Sequence, residues 1–241
     1  EGDGVEKDRK IAFEYYEKAA EQGDPESKFK CGNMLFNGDG VEVNKARSFE
    51  YYKEGASLNN YECMFMYASM LFNGENIAAN KKCSSLYYTN ITCDLFNGEK
   101  TITIDRKEAA RYFKKAADEG KHMKSMLAYA EMKFHSVCKE ISVDELESAS
   151  YYERAANIGN DVNAIHFLAM MNYFGCNKVP ANKKLAAFNF KRAADLGHVD
   201  SMRRYASMLI NGDGIDRDNE LGTHYIYLCA QSKCETDKDY I

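Results

Sequence analysis

Proline is nearly absent from this sequence, with only two residues in 241. Because proline interrupts helices, its scarcity is typical of a chain that is mostly helical. A strong excess of charge is also missing, since the formal net charge is −5. That mild balance argues against nucleic acid or anionic membranes as general partners. No apolar run approaches the roughly eighteen residues that a bilayer crossing needs, so we predict no direct membrane span.

Motifs for catalysis and for cofactor or metal binding are missing as well. The Gly-Asp-Gly turns lack the lysine and the preceding strand of a phosphate-binding loop, and no nucleophile elbow is present. Two sequences come nearest to metal-ligand spacing, without a matching second pair: His135-x-x-Cys138 and Cys229-x4-Cys234. We interpret the other histidines as isolated surface or loop residues: His122, His166, His198 and His224. We therefore predict a protein that is not an enzyme and that holds no cofactor and no metal.

What is present is one pattern repeated along the chain. Seven segments open with an Asp or Asn and carry an aromatic or bulky pair seven and eight residues later. All but the third, which has Ile91-Thr92, also carry a small pair eleven and twelve residues after the opener. The openers are Asp8, Asn44, Asn80, Asp105, Asp144, Asn182 and Asp218. An Asp or Asn before such a run is typical of a helix N-cap, and the spacings place both pairs on one helical stripe.

We call this predicted element helix B. Its small pair lets another helix approach closely, which two leucines would prevent. We expect helix B to end at a residue in the left-handed conformation. The residues in that position are Gly23, Asn59, Gly120, Gly159 and Gly197.

A second predicted element, helix A, precedes helix B in most segments. Its frames are Cys31-Gly32-x-Met34-Leu35, Tyr67-Ala68-x-Met70-Leu71, Tyr129-Ala130-x-Met132, Leu168-Ala169-x-Met171 and Tyr205-Ala206-x-Met208-Leu209. Gly-rich turns join A to B, and the Val41, Ile77 or Ile215 that follows each turn can pin the loop to the core. Each unit is thus a helical hairpin, and such a period is typical of a solenoid whose units bury their apolar faces against neighbours.

This frame resembles the Sel-one-like repeat family, a relative of the tetratricopeptide repeat. The best matches are Gly38-Asp39-Gly40-Val41 followed by Lys45-Ala46, and the segment from Glu108 to Gly120. The resemblance covers essentially the whole chain. It implies an all-α fold, a right-handed α-α superhelix (a solenoid) of about six to seven helical-hairpin repeats, and it implies protein binding.

We expect a single solenoid over residues 1–241 with one irregularity. The expected units are residues 1–26 (partial), 27–62, 63–98 (irregular), 99–123 (incomplete), 124–161, 162–199, 200–236 and 237–241 (the start of a further unit). The irregularity arises because Asn80 and Asp105 are only 25 residues apart, and Leu95-Phe96-Asn97-Gly98 looks like the end of a helix A. Either one helix B is fused to the end of the next helix A, or about twelve residues are absent between Tyr88 and Cys93. We favour the absence, and we expect the chain to be part of a longer protein because both ends cut through a repeat.

The eight cysteines share no common position in the repeat. Some secreted relatives tie helix A to helix B in every unit with a fixed cysteine pair, and that pattern is absent here. Reduced thiols in a cytoplasmic protein are the simplest interpretation. Attachment to a cytoskeletal structure is the alternative, and the lumen of the endoplasmic reticulum is disfavoured.

Helical phase identifies the residues of helix A that face a groove lined by successive A helices. If Cys31 and Leu35 face the core, then Lys30, Asn33 and Asn37 face the groove. The equivalent triplets are Met66, Ser69 and Asn73; Ala128, Glu131 and His135; Phe167, Met170 and Phe174; and Arg204, Ser207 and Asn211. The recurring asparagine at the third position favours turn chemistry before a glycine, and the alternative is a ladder that holds an extended peptide.

Only the Phe167 triplet is apolar throughout, which makes it a candidate docking patch. The alternative is that neighbouring helices cover this stripe, in which case it is ordinary core. The candidate partner-binding residues are Phe167, Met170, Phe174, Lys30, Asn33, Met66, Ser69, Glu131, His135, Arg204 and Ser207.

These observations favour a non-enzymatic protein-binding scaffold or adaptor that docks partner proteins through its concave helix-A face. Its partners would be other proteins within a multi-protein complex. The alternative is an architectural component built permanently into a large assembly, such as a cytoskeletal or membrane-associated complex. Enzyme activity, as claimed for some secreted cysteine-rich relatives, is disfavoured by the cysteine pattern.

Overall fold

The computed structural model describes residues 8–74, 104–135 and 141–236, with side chains as far as Ser232. Within these ranges the chain forms eleven α-helices, and the only β pairing is an isolated bridge between Cys176 and Val179. The helices are α1 (Arg9–Glu21), α2 (Pro25–Asn37), α3 (Lys45–Ser57), α4 (Tyr61–Asn73), α5 (Arg106–Glu119), α6 (Met123–Phe134), α7 (Glu145–Gly159), α8 (Val162–Phe174), α9 (Lys183–Asp195), α10 (Val199–Asn211) and α11 (Asn219–Thr236). Several predicted features lie outside the described residues: the segment opened by Asn80, Ile77, the Leu95–Gly98 frame and the step from Tyr88 to Cys93.

The helices divide into two compact units. Residues 1–125 hold α1 to α5, residues 126–241 hold α7 to α11, and the boundary falls in the first turn of α6. Inside each unit, helices that are consecutive in the chain pack against one another. Each helix therefore buries its apolar face against its chain neighbours, as the repeat pattern predicted.

The B helices, which are the odd-numbered ones, begin where the sequence predicted. In each, the Asp or Asn side chain that precedes the helix accepts a hydrogen bond from the N–H three residues later, at 2.9–3.2 Å. The capping residues are Asp8, Asn44, Asp105, Asp144, Asn182 and Asp218. Each such cap satisfies an N–H that has no partner inside the helix and contributes about 1 kcal/mol.

The even-numbered helices are the predicted A helices. Three of them end at a glycine with positive φ, as the turn chemistry predicted: Gly38, Gly74 and Gly212. Helix α8 also ends at such a glycine, Gly175, which was not predicted. Glycine adopts this backbone conformation without the steric cost that other residues meet. After two of these turns, Val41 and Ile215 pack against the core of their unit, as predicted.

One backbone hydrogen bond closes every described A–B hairpin at the same place. The N–H of the helix-B cap donates to a carbonyl in the last turn of the preceding helix A, at 2.6–3.0 Å. The pairs are Asn44 to Leu35, Asp105 to Leu71, Asp144 to Lys133, Asn182 to Asn172 and Asp218 to Leu209. In three hairpins this register also brings a helix-A tyrosine edge-on to a helix-B tyrosine, with ring centroids 4.8–5.1 Å apart. Aromatic pairs in this geometry stabilise by about 0.5–1.5 kcal/mol beyond their burial.

The small pairs of helix B are buried where the next helix A crosses them. Ala56 is almost fully buried, and a Cβ added to Gly55 would lie 2.4 Å from the Cys63 sulfur on α4. A larger side chain at this position would therefore force α3 and α4 apart. The prediction that small pairs permit close helix approach is confirmed at this contact.

The α4–α5 hairpin is closed across a much longer connection than the others. Residues 38–44 join α2 to α3, and residues 212–218 join α10 to α11, whereas residues 74–105 join α4 to α5. The Tyr67 ring nevertheless meets Tyr112, and the Asp105 N–H donates to the Leu71 carbonyl, as in the other hairpins. Helix α5 therefore serves as helix B for α4. This pairing differs from the expected units, which placed α5 in residues 99–123, apart from α4.

Two of the predicted left-handed helix ends are wrong. Gly23, Asn59 and Gly197 have the expected positive φ, but Gly120 has a φ of −89° and Gly159 is the last residue of α7. In these two cases the next residue takes the left-handed conformation, Lys121 or Asn160. The reason for glycine at position 120 is space, since an added Cβ would lie 2.3 Å from the Tyr61 ring.

Two Gly-Asp-Gly turns contact the start of the preceding helix B. The Asp39 carboxylate pairs with the Arg9 guanidinium, and the Asp213 carboxylate accepts from the Lys183 ammonium at 2.5 Å. The second glycine of each turn makes this approach possible, because a Cβ there would lie 2.4–2.6 Å from the Cβ of the basic residue. Each turn is thus joined to the previous repeat by charge as well as by packing.

Candidate protein-binding surface

Helix α8 presents the apolar triplet on the side opposite its buried stripe. Ala164, Ile165 and Ala169 are fully buried, whereas Phe167 is 43% exposed and Phe174 is 60% exposed. Met170 lies between the two phenylalanines and is half-buried against the core of the second unit. We call Phe167, Met170 and Phe174 the α8 patch. Their exposure is contrary to the alternative that this stripe is ordinary core.

The neighbouring helices hold both phenylalanine rings in place. The Phe167 ring stacks on Tyr152 of α7, with centroids 5.4 Å apart and an interplanar angle of 24°. The Phe174 ring meets the edge of Tyr173, and the Arg204 guanidinium of α10 lies over it at 5.6 Å from the centroid. Rings that are already fixed lose less side-chain entropy when a partner covers them. The α8 patch is therefore an ordered apolar surface.

Helix α10 supplies the polar border of the α8 patch. Arg204 and Ser207 are exposed, and Asn211 donates a hydrogen bond to the Ser207 hydroxyl at 3.3 Å. Arg203 pairs with Asp200, but the described residues give Arg204 no carboxylate partner. The structure thus brings Arg204 together with Phe174 and leaves its positive charge available beside an apolar surface.

The candidate residues of the first unit have other surroundings. Lys30 pairs with Glu26 at 3.2 Å, and the Asn33 side-chain oxygen accepts a hydrogen bond from the Tyr52 hydroxyl at 2.7 Å. Both residues line a cavity of about 590 Å³ between α1 and α2. The lining residues are Arg9, Ala12, Tyr16, Lys30, Asn33, Met34, Asn37, Gly38 and Asp39. Charged and amide side chains thus lie beside apolar ones in this cavity, whereas the α8 patch is apolar throughout.

The remaining candidates are more enclosed or lie at an edge of the described residues. Met66 and Ser69 on α4 are half-buried, and the Ser69 hydroxyl donates back to the Phe65 carbonyl. Glu131 is half-buried and His135 is exposed next to residues 136–140, which are outside the described part. Ala128, the apolar member of the His135 triplet, is buried, so its place on the groove was wrongly predicted.

The prediction that the histidines are isolated is wrong for three of them. His122 and His198 cap α6 and α10, because each Nδ1 accepts the N–H of the serine three residues later. His166 on α8 shares a hydrogen bond with Ser201 of α10. The two caps could have been found from the sequence, since both lie seven residues before a helix-A tyrosine, as the cap Asn60 does.

Burial determines the properties of the thiols. Cys31, Cys63 and Cys229 are buried and free, and Cys176 is free and partly exposed. Burial raises the pKa of Cys31 to about 11 and that of Cys63 to about 12. Cys138 and the side chain of Cys234 are outside the described residues, and across the described part no three potential ligands converge as a metal site would require.

Comparison with known proteins identifies the repeat. The Sel1 repeat family model matches residues 1–24, 25–60, 62–82, 95–121, 124–160, 162–198 and 199–231. The chain belongs to the Sel1 repeat family. Sel1 repeat proteins form all-α helical repeat superhelices, so the predicted fold class is confirmed. They are generally protein-interaction scaffolds.

Two solved structures show the same fold. One is a protective antigen present in uropathogenic Escherichia coli strains displaying an SLR fold, with 20% identity and a TM-score of 0.71 over 94% of this chain. The other is a Sel1 repeat protein from Oxalobacter formigenes, with 22% identity and a TM-score of 0.67 over 94% of this chain. This chain spans 42% of the length of the first protein and 78% of the second. A search of the curated proteins gave no match.

Across residues 8–74, 104–135 and 141–236, no helix combines the length and the hydrophobicity needed to cross a bilayer.

Proposed function

We propose that this Sel1 repeat chain is a non-enzymatic scaffold or adaptor, and that the α8 patch is its principal docking surface for a partner protein. The observation that carries the proposal is the pair of exposed phenylalanines, Phe167 and Phe174, on a helix whose other face is buried. Exposed aromatic side chains in fixed positions are typical anchors of protein–protein interfaces. Within the second unit, the polar candidates Glu131, His135, Arg204 and Ser207 would then border the contact. The candidates of the first unit, Lys30, Asn33, Met66 and Ser69, would contact partner proteins separately.

The charge beside the α8 patch determines which partner fits. Arg204 lies over the Phe174 ring and has no carboxylate partner among the described residues. A bound segment that presents apolar side chains to the rings and a carboxylate to Arg204 would satisfy both features. We therefore propose an acidic, apolar segment of another protein as the occupant.

Substitution of the exposed rings tests this function. Phe167→Glu/Phe174→Glu places charge on the α8 patch, and Phe188→Glu is the matched control because Phe188 is 63% exposed on a B helix of the same unit. We expect the double variant to lose most of its co-purifying partners and the control to retain them. Circular dichroism must show equal helix content in all three proteins. Equal recovery of partners by both variants would remove the α8 patch as a docking surface.

Direct cross-linking identifies the partner segment. A photoreactive phenylalanine analogue at position 174 should cross-link to an acidic, apolar segment, and the same analogue at position 188 should not. Arg204→Glu should weaken binding of that segment at least about tenfold, since it replaces attraction to a carboxylate by repulsion. Cross-linked segments without acidic residues, together with unchanged binding by Arg204→Glu, would rule out the proposed occupant.

A cytoplasmic location is the second part of the proposal. Four described cysteines are free, and three of them are buried in the core. Free thiols persist in reducing compartments, which supports this location. A fluorescent fusion of the full-length protein tests it, and accumulation in the secretory pathway would exclude it.

A further inference from the structure

His166, His198 and Ser201 form a cluster in the second unit that the docking function does not use. Nδ1 of His198 lies 3.1 Å from the backbone nitrogen of Ser201 and 3.0 Å from its hydroxyl oxygen. Nδ1 of His166 lies 2.8 Å from the same hydroxyl oxygen. The two imidazole rings are 4.3 Å apart, and Ser201 is fully buried. The cluster joins α8 to the first turn of α10.

One arrangement of protons satisfies all three contacts. The Ser201 backbone N–H and hydroxyl both donate to His198 Nδ1, which therefore carries no proton. The Nδ1–H of His166 then donates to the Ser201 hydroxyl oxygen. Protonation of His198 at Nδ1 would remove the acceptor for both Ser201 donors, and with it the cap of α10. This cap thus depends on a neutral imidazole.

Three of the other A helices, α2, α4 and α8, have caps that do not share this weakness. Asp24, Asn60 and Asp161 accept the equivalent N–H through an oxygen. Those oxygens remain acceptors at any pH near neutrality. Only a histidine cap is lost by proton uptake in mildly acidic solution.

The surroundings of the cluster oppose proton uptake. Burial lowers the pKa of His166 to about 4, with His198 and Arg204 acting in the same direction and Asp200 against them. Burial also lowers the pKa of His198, again opposed by Asp200. The rings that pack around His166 are uncharged, namely Phe167 on α8 and Phe190 on α9. No described carboxylate forms an ion pair with either imidazole, whereas His122 has Glu62 at 3.3 Å.

We infer that His166, His198 and Ser201 are an acid-sensitive clasp, which joins α8 to α10 when both imidazoles are neutral and opens when they take up protons. The unfolded chain binds these protons at a higher pH than the folded protein does. The clasp therefore makes its full contribution to the free energy of unfolding above about pH 6.5. Its contribution falls as the pH decreases from there toward 4. Opening would change the contact between the helices that carry Phe174 and Arg204.

The chain itself supplies the substitutions that test the clasp. Asn60 is the equivalent of His198 in α4, and Phe29 and Phe65 are the equivalents of His166 in α2 and α4. We therefore compare His166→Phe/His198→Asn with its parent, both in a His122→Asn background that silences the other histidine cap. The measurement is the urea midpoint of unfolding at several pH values between 7.5 and 4. We expect the acid-induced fall in the midpoint to be reduced by about half or more in the variant. An equal fall in variant and parent would overturn the clasp.

A second measurement does not depend on the variant being stable. The imidazole signals of His166 and His198 in the NMR spectrum of the unsubstituted protein report their protonation directly. We expect both to titrate below pH 6.5, with His166 near pH 4, together with the Ser201 amide signal. Titration of both rings near 6.5, with an unchanged Ser201 amide, would show that protonation leaves the α10 cap intact and would also overturn the inference.

Discussion

Glycine has two different structural roles in this chain: it adopts positive φ at some helix ends, and it permits close contact with a neighbouring helix at others. Gly38 and Gly212 adopt positive φ, so glycine there satisfies the turn conformation. Gly120 has an ordinary negative φ, but its backbone lies so close to Tyr61 that a Cβ would overlap the ring. Glycine at a helix end therefore does not by itself indicate a left-handed cap. The contact with the neighbouring helix also decides.

Alanine substitutions distinguish the steric cost at one glycine from the backbone-conformation cost at another. Gly120→Ala should destabilise the first unit by about 1–3 kcal/mol through overpacking against Tyr61. Gly23→Ala meets open space and should cost about 1–2 kcal/mol from its positive φ alone. Urea unfolding measures both values. The Gly120→Ala cost should shrink in a Tyr61→Ala background, and equal costs in both backgrounds would contradict the steric explanation.

The buried thiols give a second prediction at this scale. A thiol with a pKa of about 11 exposes roughly a hundredfold less thiolate at pH 8 than one with its ordinary value near 9. We expect iodoacetamide to modify Cys31 and Cys63 at least about a hundredfold more slowly in the folded protein than in urea. Mass spectrometry of each cysteine peptide over time measures the rates. Rapid modification of either residue in the folded protein would show that its helix opens.

Comparison of equivalent helices identifies residues that break the repeat. The fourth residue after the helix-A cap is a buried Met or Ile in four of the five A helices that the structure describes: Met64, Met126, Ile165 and Met202. In α2 it is Lys28, which is 8% exposed and places its ammonium 2.5 Å from the Glu54 carboxylate of α3. A lysine ammonium at this depth loses most of its hydration. Its attraction to the exposed Glu54 carboxylate offsets only part of that free-energy cost.

Lys28→Met tests whether this ion pair stabilises the first unit. We expect the free energy of unfolding to stay equal or to rise by about 1 kcal/mol, because the apolar side chain matches the other repeats. Glu54→Ala should instead lower it by about 1 kcal/mol, since it leaves the Lys28 ammonium buried without its partner. Urea unfolding at neutral pH compares the two variants. A loss of more than 1 kcal/mol in Lys28→Met would mean that the ion pair is a net source of stability.

At the scale of the whole molecule, the pairing of α4 with α5 is the feature that departs most from a uniform repeat. The hydrogen bond and the tyrosine pair of this hairpin match those of the others, although residues 74–105 separate the two helices. We therefore expect the contacts between the two helices to determine this pairing.

Shortening this connection is a direct test of the pairing. We replace residues 75–104 with the sequence Asp39–Val43, so that Gly74 is followed by the loop that joins α2 to α3. The entropy of closing the shorter loop should stabilise the protein by about 1 kcal/mol, with the helix content of α4 and α5 retained. Urea unfolding and circular dichroism provide the measurements. Loss of folding would show that α5 is not the natural partner of α4.

Much of the fold could be predicted because the local rules of helices recur in every repeat. The caps such as Asp8 and Asn182 have oxygen side chains that are directly visible in the sequence, and they begin their helices as predicted. The pairing of Tyr67 with Tyr112 was not predicted, because spacing along the chain does not reveal which helices meet across a long connection. The partners of His166 were missed for the same reason. They lie on other helices, and only the fold brings them together.

The sequence predicted only part of the candidate protein-binding surface. Helical phase placed Phe167 and Phe174 on the face opposite the buried stripe, and the structure finds both rings exposed. Phase could not reveal that Tyr152 stacks on the first ring and that Arg204 lies over the second. Their role in binding stays a prediction until the substitutions have been measured.

The same cap-to-carbonyl hydrogen bond closes all five hairpins of the described residues, and this has a consequence for how such a chain can change. A recombination that joins one cap to the equivalent cap of another hairpin inserts or deletes one whole repeat. Every remaining hairpin keeps its own cap-to-carbonyl hydrogen bond. The number of repeats can thus change one at a time while individual surface residues are substituted, so that chain length and surface chemistry can change independently.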